Sequence, residues 1–157
     1  SAHIIGCGGV ARAIIVALKN GLCKKIILSS RDEEKAKRVS SEFNIEYSAY
    51  KTGKELKADL LINATPVGMT PKENDMIIIE SELNNYKVVM DVVINPLYTS
   101  LIETAKKMEK IVIPGFEMAL YQAAEQFTLY TNKEAPLSIM LKHIKKYLLD
   151  NTKSSII

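Results

Sequence analysis

Gly6, Gly8 and Gly9 stand between an apolar run, Ile4-Ile5, and a helical pattern that opens at Val10. Glycines in that position suit the pyrophosphate of a dinucleotide. Gly6 lets the chain turn sharply off a strand, and Gly8 lets backbone N–H groups come within hydrogen-bonding distance of phosphate oxygens. Ala11, where a third glycine is usual, still lets helix and strand pack closely. Cys7 and Gly9 complete the loop, Cys7 as a small loop residue rather than a nucleophile. A helix from Val10 to Asn20, with Ala13, Ile14, Ala17 and Leu18 on one face, would turn the positive end of its dipole toward the anion. A tight strand-to-helix turn with no ligand is the plainer alternative.

The second chemical signal lies about twenty residues on, where an acidic residue commonly binds the ribose 2′-hydroxyl of NAD. Here the second apolar run, Ile26-Ile27-Leu28, ends in Ser29-Ser30-Arg31-Asp32, with Lys35 shortly after. A guanidinium over the adenine and against a 2′-phosphate, helped by Lys35, favours NADP (NADPH) by charge complementarity. Asp32 pulls the other way, since its carboxylate can accept from a free ribose hydroxyl. Ser30 or Asp32 can also serve as a helix N-cap, with Arg31 a solvated surface charge. The expectation is that both hold, Arg31 facing the cofactor and Asp32 starting the helix.

Further along, Asn63-Ala64-Thr65-Pro66-Val67-Gly68-Met69 follows an apolar run directly. Asp91 lies inside another such run, Asn95-Pro96 breaks it, and Gly115 to Gln122 opens a late helix. Each has a bland account: a turn, a strand terminator, a polar helix position. What gives them chemical interest is the frame that must position them. The pattern predicts strands at His3-Ile5, from Lys25 to its end in Ser30-Arg31, and at Ile45–Tyr47, Ala58–Asn63, Lys87–Val93 and Ile111–Ile113. Between and after them it predicts helices at Val10–Asn20, Glu33–Phe43, Tyr98–Lys107, Glu117–Tyr130 and Leu137–Leu149, with a short helix or turn around Lys54. Strands alternating with helices demand a parallel sheet covered on both faces, here an α/β doubly wound six-stranded sheet of order 3-2-1-4-5-6. Right-handed crossovers then bring the glycine turn, Arg31 and the ends of the fourth and fifth strands to one carboxyl edge. Asn63, Ala64, Thr65 and Pro66 would line the crevice there, beside the nicotinamide ribose.

Composition bounds the rest. The 157 residues, 47% of them hydrophobic, make one domain with a genuine core. A formal net charge of +3, with no basic stripe interleaved with aromatics, argues against nucleic acid and against an anionic membrane surface. Two cysteines without C-x-x-C spacing and two histidines supply no zinc site, so no metal is expected and a reducing cytoplasm fits best. No apolar run is long enough to span a membrane, and no signal peptide precedes the first strand.

Taken together, these motifs resemble the C-terminal NADP-binding domain of the shikimate dehydrogenases. Gly6-Cys7-Gly8-Gly9-Val10-Ala11-Arg12 is similar to the family's G-x-G-G-x-[AS]-[RK] loop, and Ser30-Arg31-Asp32 with Lys35 to its N-R-[TS]-x-x-[RK] motif. Asn63 to Met69 reproduces its N-A-T-P-x-G-M run, and Gly115-x-x-Met118-x-x-x-Gln122 its substrate-side helix. The resemblance implies a Rossmann-type fold, NADP as cofactor, and shikimate or 3-dehydroshikimate as small-molecule substrate. It implies that Val92 and Gly115 meet the nicotinamide end and that the Gln122 amide bonds a substrate hydroxyl. Ile94 stands where the family's D-x-x-Y-x-P has tyrosine, so the tyrosine contact is absent or comes from Tyr98. The family's catalytic lysine and aspartate belong to an N-terminal substrate domain whose motifs this chain lacks. No catalytic residue is therefore expected within 1–157, and the chain looks like the excised cofactor half. A homodimer is the candidate assembly. The runner-up is an NAD-using quinate/shikimate dehydrogenase, and a non-catalytic dinucleotide-binding module is the third reading.

Overall fold

A computed structural model describes residues 1–50 and 56–154 of the chain, with side chains to residue 150. The turn expected around Lys54 lies outside the described residues. Strands are β1 (Ala2–Ile5), β2 (Ile26–Ser29), β3 (Glu46–Tyr47), β4 (Leu60–Asn63), β5 (Val88–Asp91) and β6 (Ile111–Ile113). Helices are α1 (Gly9–Asn20), α2 (Glu33–Phe43), α3 (Ser100–Lys107), α4 (Gly115–Thr131) and α5 (Leu137–Ser154), with a 3-10 turn at Glu80–Asn85. The strands form one parallel sheet in the order β3-β2-β1-β4-β5-β6, the doubly wound topology expected.

Register decides where a site can form. Ile5 stands level with Ser29 on one side and Asn63 on the other, and Asn63 stands level with Asp91. Four neighbouring strands thus end on one line, and Gly6, Ser30, Ala64 and Val92 all leave the sheet from the same edge. Side chains alternate between its faces. Ile4, Leu28 and Ile62 pack under α1 and α2 with Ala11, Ile15 and Val39, while Ile5, Leu61 and Val89 pack under α3 with Leu83, Leu101 and Ile102. Full burial of such side chains stabilises by roughly 1.5–3 kcal/mol each, which holds the edge rigid. A smaller cluster of Leu97, Phe116 and Leu148 fastens α4 and α5.

Several expected boundaries and faces are corrected. The buried face of α1 runs through Ala11 and Ile15 with Ile14 and Leu18 beside them, and Ala13 and Ala17 are exposed. Ala13 lies two residues from both Ala11 and Ile15, about 200° around the helix, and so points away. β4 begins at Leu60 rather than Ala58, where Asp59 is exposed and bonded to Ser1 and Lys87. β2 ends at Ser29, short of the expected Ser30-Arg31, and β5 ends at Asp91 rather than Val93, where the Val92-Val93 backbone turns to lie against Gly115 at the start of α4. α3 begins at Ser100 because Thr99, not Tyr98, caps it, its hydroxyl accepting from the Ile102 N–H at 3.3 Å. α4 opens two residues early, at Gly115, directly after Pro114.

Candidate functional site

The turn off β1 is fixed by contact. Gly6 has a φ of +117°, and a Cβ built there would lie 2.6 Å from the Ala64 carbonyl oxygen. Only glycine permits both the left-handed backbone and that approach. Gly8 and Gly9 differ: a Cβ at either meets nothing within 4 Å. The protein itself leaves those two positions open, on the side where α1 presents its unpaired N–H groups. Val10 is exposed beside them, whereas Ala11 is fully buried and packs helix to strand. Arg12 pairs with Glu42 and lies over the Phe43 ring, tying α1 to α2.

A cleft of about 470 Å³ opens at this edge. Its floor and walls bring together Gly6, Cys7 and Gly8 from the turn, Ser30 and Arg31 from the end of β2, and Ala64, Thr65, Pro66 and Val67 from the end of β4. The Cys7 thiol donates to the Ser30 hydroxyl at 3.3 Å, and that hydroxyl also accepts from the Asp32 N–H at 3.3 Å, so the glycine turn and the Ser30-Arg31-Asp32 turn are joined. Asp32 is the N-cap of α2, its Oδ1 accepting from the Lys35 N–H at 3.0 Å. Its carboxylate is thus engaged with the helix, while Arg31 lines the cleft. Asp32, Lys35, Gly9, Val10 and Ala11 are not among the cleft's walls, and the Lys35 side chain lies exposed one turn into α2.

The remaining wall was not foreseen from sequence. Tyr50, Asp75, Met76 and Ile77 close the cleft opposite the glycine turn, and the Tyr50 hydroxyl donates to the Ile77 carbonyl at 2.5 Å. Burial pushes the Tyr50 phenol up, with the Arg31 charge pulling the other way, which places the guanidinium within electrostatic reach of the ring. Behind this wall a cavity of about 20 Å³ is bordered by His3, Ser29 and Tyr86. The His3 ring is hydrogen-bonded to Tyr86 Oη at 2.8 Å and Ser29 Oγ at 2.9 Å, and burial lowers its pKa to about 4.

Asn63 sits beneath the cleft rather than in it, and its side chain is spent on the loop that follows. Its Oδ1 accepts from the Thr65 N–H at 3.0 Å and the Thr65 hydroxyl at 2.7 Å, and its Nδ2 donates to the Val67 carbonyl at 3.0 Å. Val92 and Gly115 are brought together, though not onto the cleft's walls: a Cβ at Gly115 would lie 2.1 Å from the Val93 carbonyl oxygen and 2.8 Å from the Val92 carbonyl carbon. Gln122 is exposed, seven residues on from Gly115 along α4. Tyr98 does not reach the cleft. Its ring meets Phe116 edge-on at 6.0 Å and carries Lys106 Nζ 3.6 Å above its centroid, so it is held in the packing between α3 and α4. Among the described residues no group of three or more histidines, cysteines and acidic residues could hold a metal, and no helix is long and apolar enough to cross a membrane.

Two family profiles match the chain: "Shikimate 5'-dehydrogenase C-terminal domain" over residues 115–145, and "NADP oxidoreductase coenzyme F420-dependent" over residues 2–95. The NADP(+) shikimate dehydrogenase of Methanothermobacter thermautotrophicus is 34% identical over 157 residues, an alignment covering 94% of this chain and 56% of that protein. A shikimate dehydrogenase solved with NADP+ superposes with a TM-score of 0.79 at 33% identity, over 94% of this chain and 54% of the other. The quinate dehydrogenase of Corynebacterium glutamicum, solved with NAD, superposes at 0.81 with 28% identity, again over 94% and 54%. The chain spans about half the length of the relatives it matches.

Proposed function

Because the chain belongs to the shikimate dehydrogenase family, as its C-terminal nucleotide-binding part, we propose that it is the cofactor half of an enzyme interconverting 3-dehydroshikimate and shikimate with NADP, in aromatic amino-acid biosynthesis. The observation that carries the choice of cofactor is the division of labour at the end of β2, where Arg31 faces the cleft and the Asp32 carboxylate caps α2.

The site fits a dinucleotide. Gly8 and Gly9 leave open the space a pyrophosphate needs, and the N–H groups of the α1 N-terminus are the donors for it. Arg31 would take the 2′-phosphate and adenine, with Ser30 beside it and Lys35 adding positive charge one turn into α2. Ala64, Thr65 and Pro66 would pack along the ribose, and Val92 and Gly115 would meet the nicotinamide end. When bound, the nicotinamide supplies the hydride chemistry. Gln122, on the same helix as Gly115, would orient one substrate hydroxyl. We place no proton relay within 1–157 and assign it, with the groups that fix the substrate ring, to a substrate domain in the part of the relatives that this chain does not match. A reducing cytoplasm accords with the two free thiols, Cys7 and Cys23. A homodimer is the assembly to test by light scattering.

Calorimetric titration with NADP and NAD decides the cofactor. NADP is expected to bind at least about tenfold tighter, as for one charge-assisted hydrogen bond. Equal affinities would overturn this assignment, promote Asp32 to a ribose ligand, and turn the reading toward an NAD-using quinate/shikimate dehydrogenase.

A further inference from the structure

We propose that Asp91, which touches neither the cleft nor any exposed surface, is the positioning residue that sets both the Ala64–Val67 wall and the seat of Gly115. The proposal rests on the cleft's being a dinucleotide site. Asp91 is the last residue of β5 and is completely buried. Its Oδ1 accepts from Asn63 Nδ2 and from the Val93 N–H, both at 3.0 Å, and its Oδ2 accepts from the Thr99 hydroxyl at 2.7 Å. Thr99 accepts from the Ile102 N–H, so its own hydrogen is free to go to Asp91. All three neighbours are donors, the environment that an ionised carboxylate satisfies and a neutral amide cannot.

Each contact fixes a different wall. By holding Nδ2 of Asn63, Asp91 fixes the orientation of that amide, and only in that orientation does Oδ1 face the Thr65 N–H and hydroxyl. Thr65 Oγ1 in turn accepts from the Val67 N–H at 3.1 Å, completing the loop that faces the glycine turn. By holding the Val93 N–H, the same carboxylate shapes the backbone on which Gly115 seats with no room for a Cβ. The Val92 N–H also donates to the Asn63 carbonyl at 3.1 Å, and to that backbone link Asp91 adds a side chain bonded to both walls. Buried networks of this kind respond to loss of one member by more than the single bond, because the groups left behind cannot reach water.

The test is Asp91→Asn, nearly the same in shape but bringing a donor to a site built from donors. Two quantities are measured on the whole chain: amide hydrogen exchange at Thr65 and Val67, and the dissociation constant for NADP. A control, Val39→Ala, lowers stability through a cavity in the core beneath α2, in a cluster that holds neither Thr65 nor Val67. Asp91→Asn is expected to speed exchange at both amides by about tenfold or more and to weaken NADP by a similar factor. Val39→Ala should leave local exchange at those amides, relative to global unfolding, and the affinity within about twofold. Should Asp91→Asn fail to fold, Thr99→Val withdraws one donor from Asp91 together with the α3 cap, and should give the same pair of changes at about threefold once exchange is referred to global unfolding. Unchanged Thr65 and Val67 exchange in the carboxylate variant, or equal effects in the control, would overturn the proposal. Exchange behaving as expected in a chain that binds no NADP would overturn the cofactor reading and leave the positioning role standing.

Discussion

The two ends of the cleft are built by opposite means. At the end of β2 and in the segment after β3 the cleft is walled by an exposed arginine and by a tyrosine held by one hydrogen bond to Ile77. At the ends of β4 and β5 the support is buried: Asn63 and Asp91 under the loop, and Gly115 pressed against the Val93 backbone. An exposed charge can be exchanged with little effect on folding, so the first end is free to set which nucleotide is preferred. The second end cannot be altered without moving the sheet edge, so it can fix where the nucleotide lies but cannot be tuned cheaply.

The sharpest way to break this contrast is Gly115→Ala. A methyl group 2.1 Å from a carbonyl oxygen in a packed junction forces α4 away from β5, and overpacking there should cost about 3 kcal/mol or more. For a domain of this size that lowers the melting temperature by roughly 6–12 °C, read by thermal unfolding. A loss under about 1 kcal/mol would mean that the buried end is as forgiving as the exposed one.

The exposed end still has a buried foundation, and acid should reveal it. The folded protein keeps the His3 imidazole neutral, with a pKa of about 4 against an ordinary 6.5. Between those values the unfolded chain binds a proton that the folded chain refuses, so stability is full above 6.5 and falls as the pH drops toward 4. The whole loss amounts to at most about 3 kcal/mol. Denaturant titrations at several pH values measure it, and His3→Gln should flatten the slope over this interval. An unaltered slope in that variant would assign the acid sensitivity to other groups.

How much of this was legible in the residues follows the same division. The strands and their order could be read because every strand but β3, which is only Glu46–Tyr47, is a short apolar run closed by a glycine, a polar cap or a proline. The glycine turn, Arg31 and the Ala64–Pro66 run could be placed on one edge because parallel topology puts every strand's carboxyl end there. Tyr50, Asp75, Met76 and Ile77 could not. They come from segments between elements, and nothing local in their sequence says that tertiary packing swings them over the cleft. Asn63 was read as a wall residue, being first in its motif, but register turns its side chain beneath the loop. The 3-10 turn at Glu80–Asn85 was invisible for a related reason: Ile77-Ile78-Ile79 carries the apolar weight before it, and the turn itself has only Leu83 buried.

On the proposed reading selectivity belongs to the exposed end, and Arg31→Ala isolates it. The variant should weaken NADP by about 1–3 kcal/mol and NAD much less, with stability unchanged within about 0.5 kcal/mol. Paired calorimetric and thermal measurements give all three quantities. Equal weakening of the two nucleotides would show that the guanidinium serves the adenine face alone and that the 2′-phosphate is held elsewhere, with Lys35 the first residue to substitute.

The smallest effect tests whether the exposed end has any rigidity of its own. Tyr50 is held to Ile77 by one hydrogen bond of 2.5 Å, and this bond joins the segment after β3 to the segment that walls the far side of the cleft. Tyr50→Phe keeps the ring and removes only the donor. Ile77 lines the cleft, from which water can replace the lost hydroxyl, so the loss should be about 0.5–1.5 kcal/mol, or roughly 1–6 °C in melting temperature. NADP should weaken only a few-fold, because Arg31 retains its charge and the ring retains its area. A loss of affinity as large as that of Arg31→Ala would mean that the wall, rather than the charge, organises this end, and the contrast between a tunable end and a fixed one would fail.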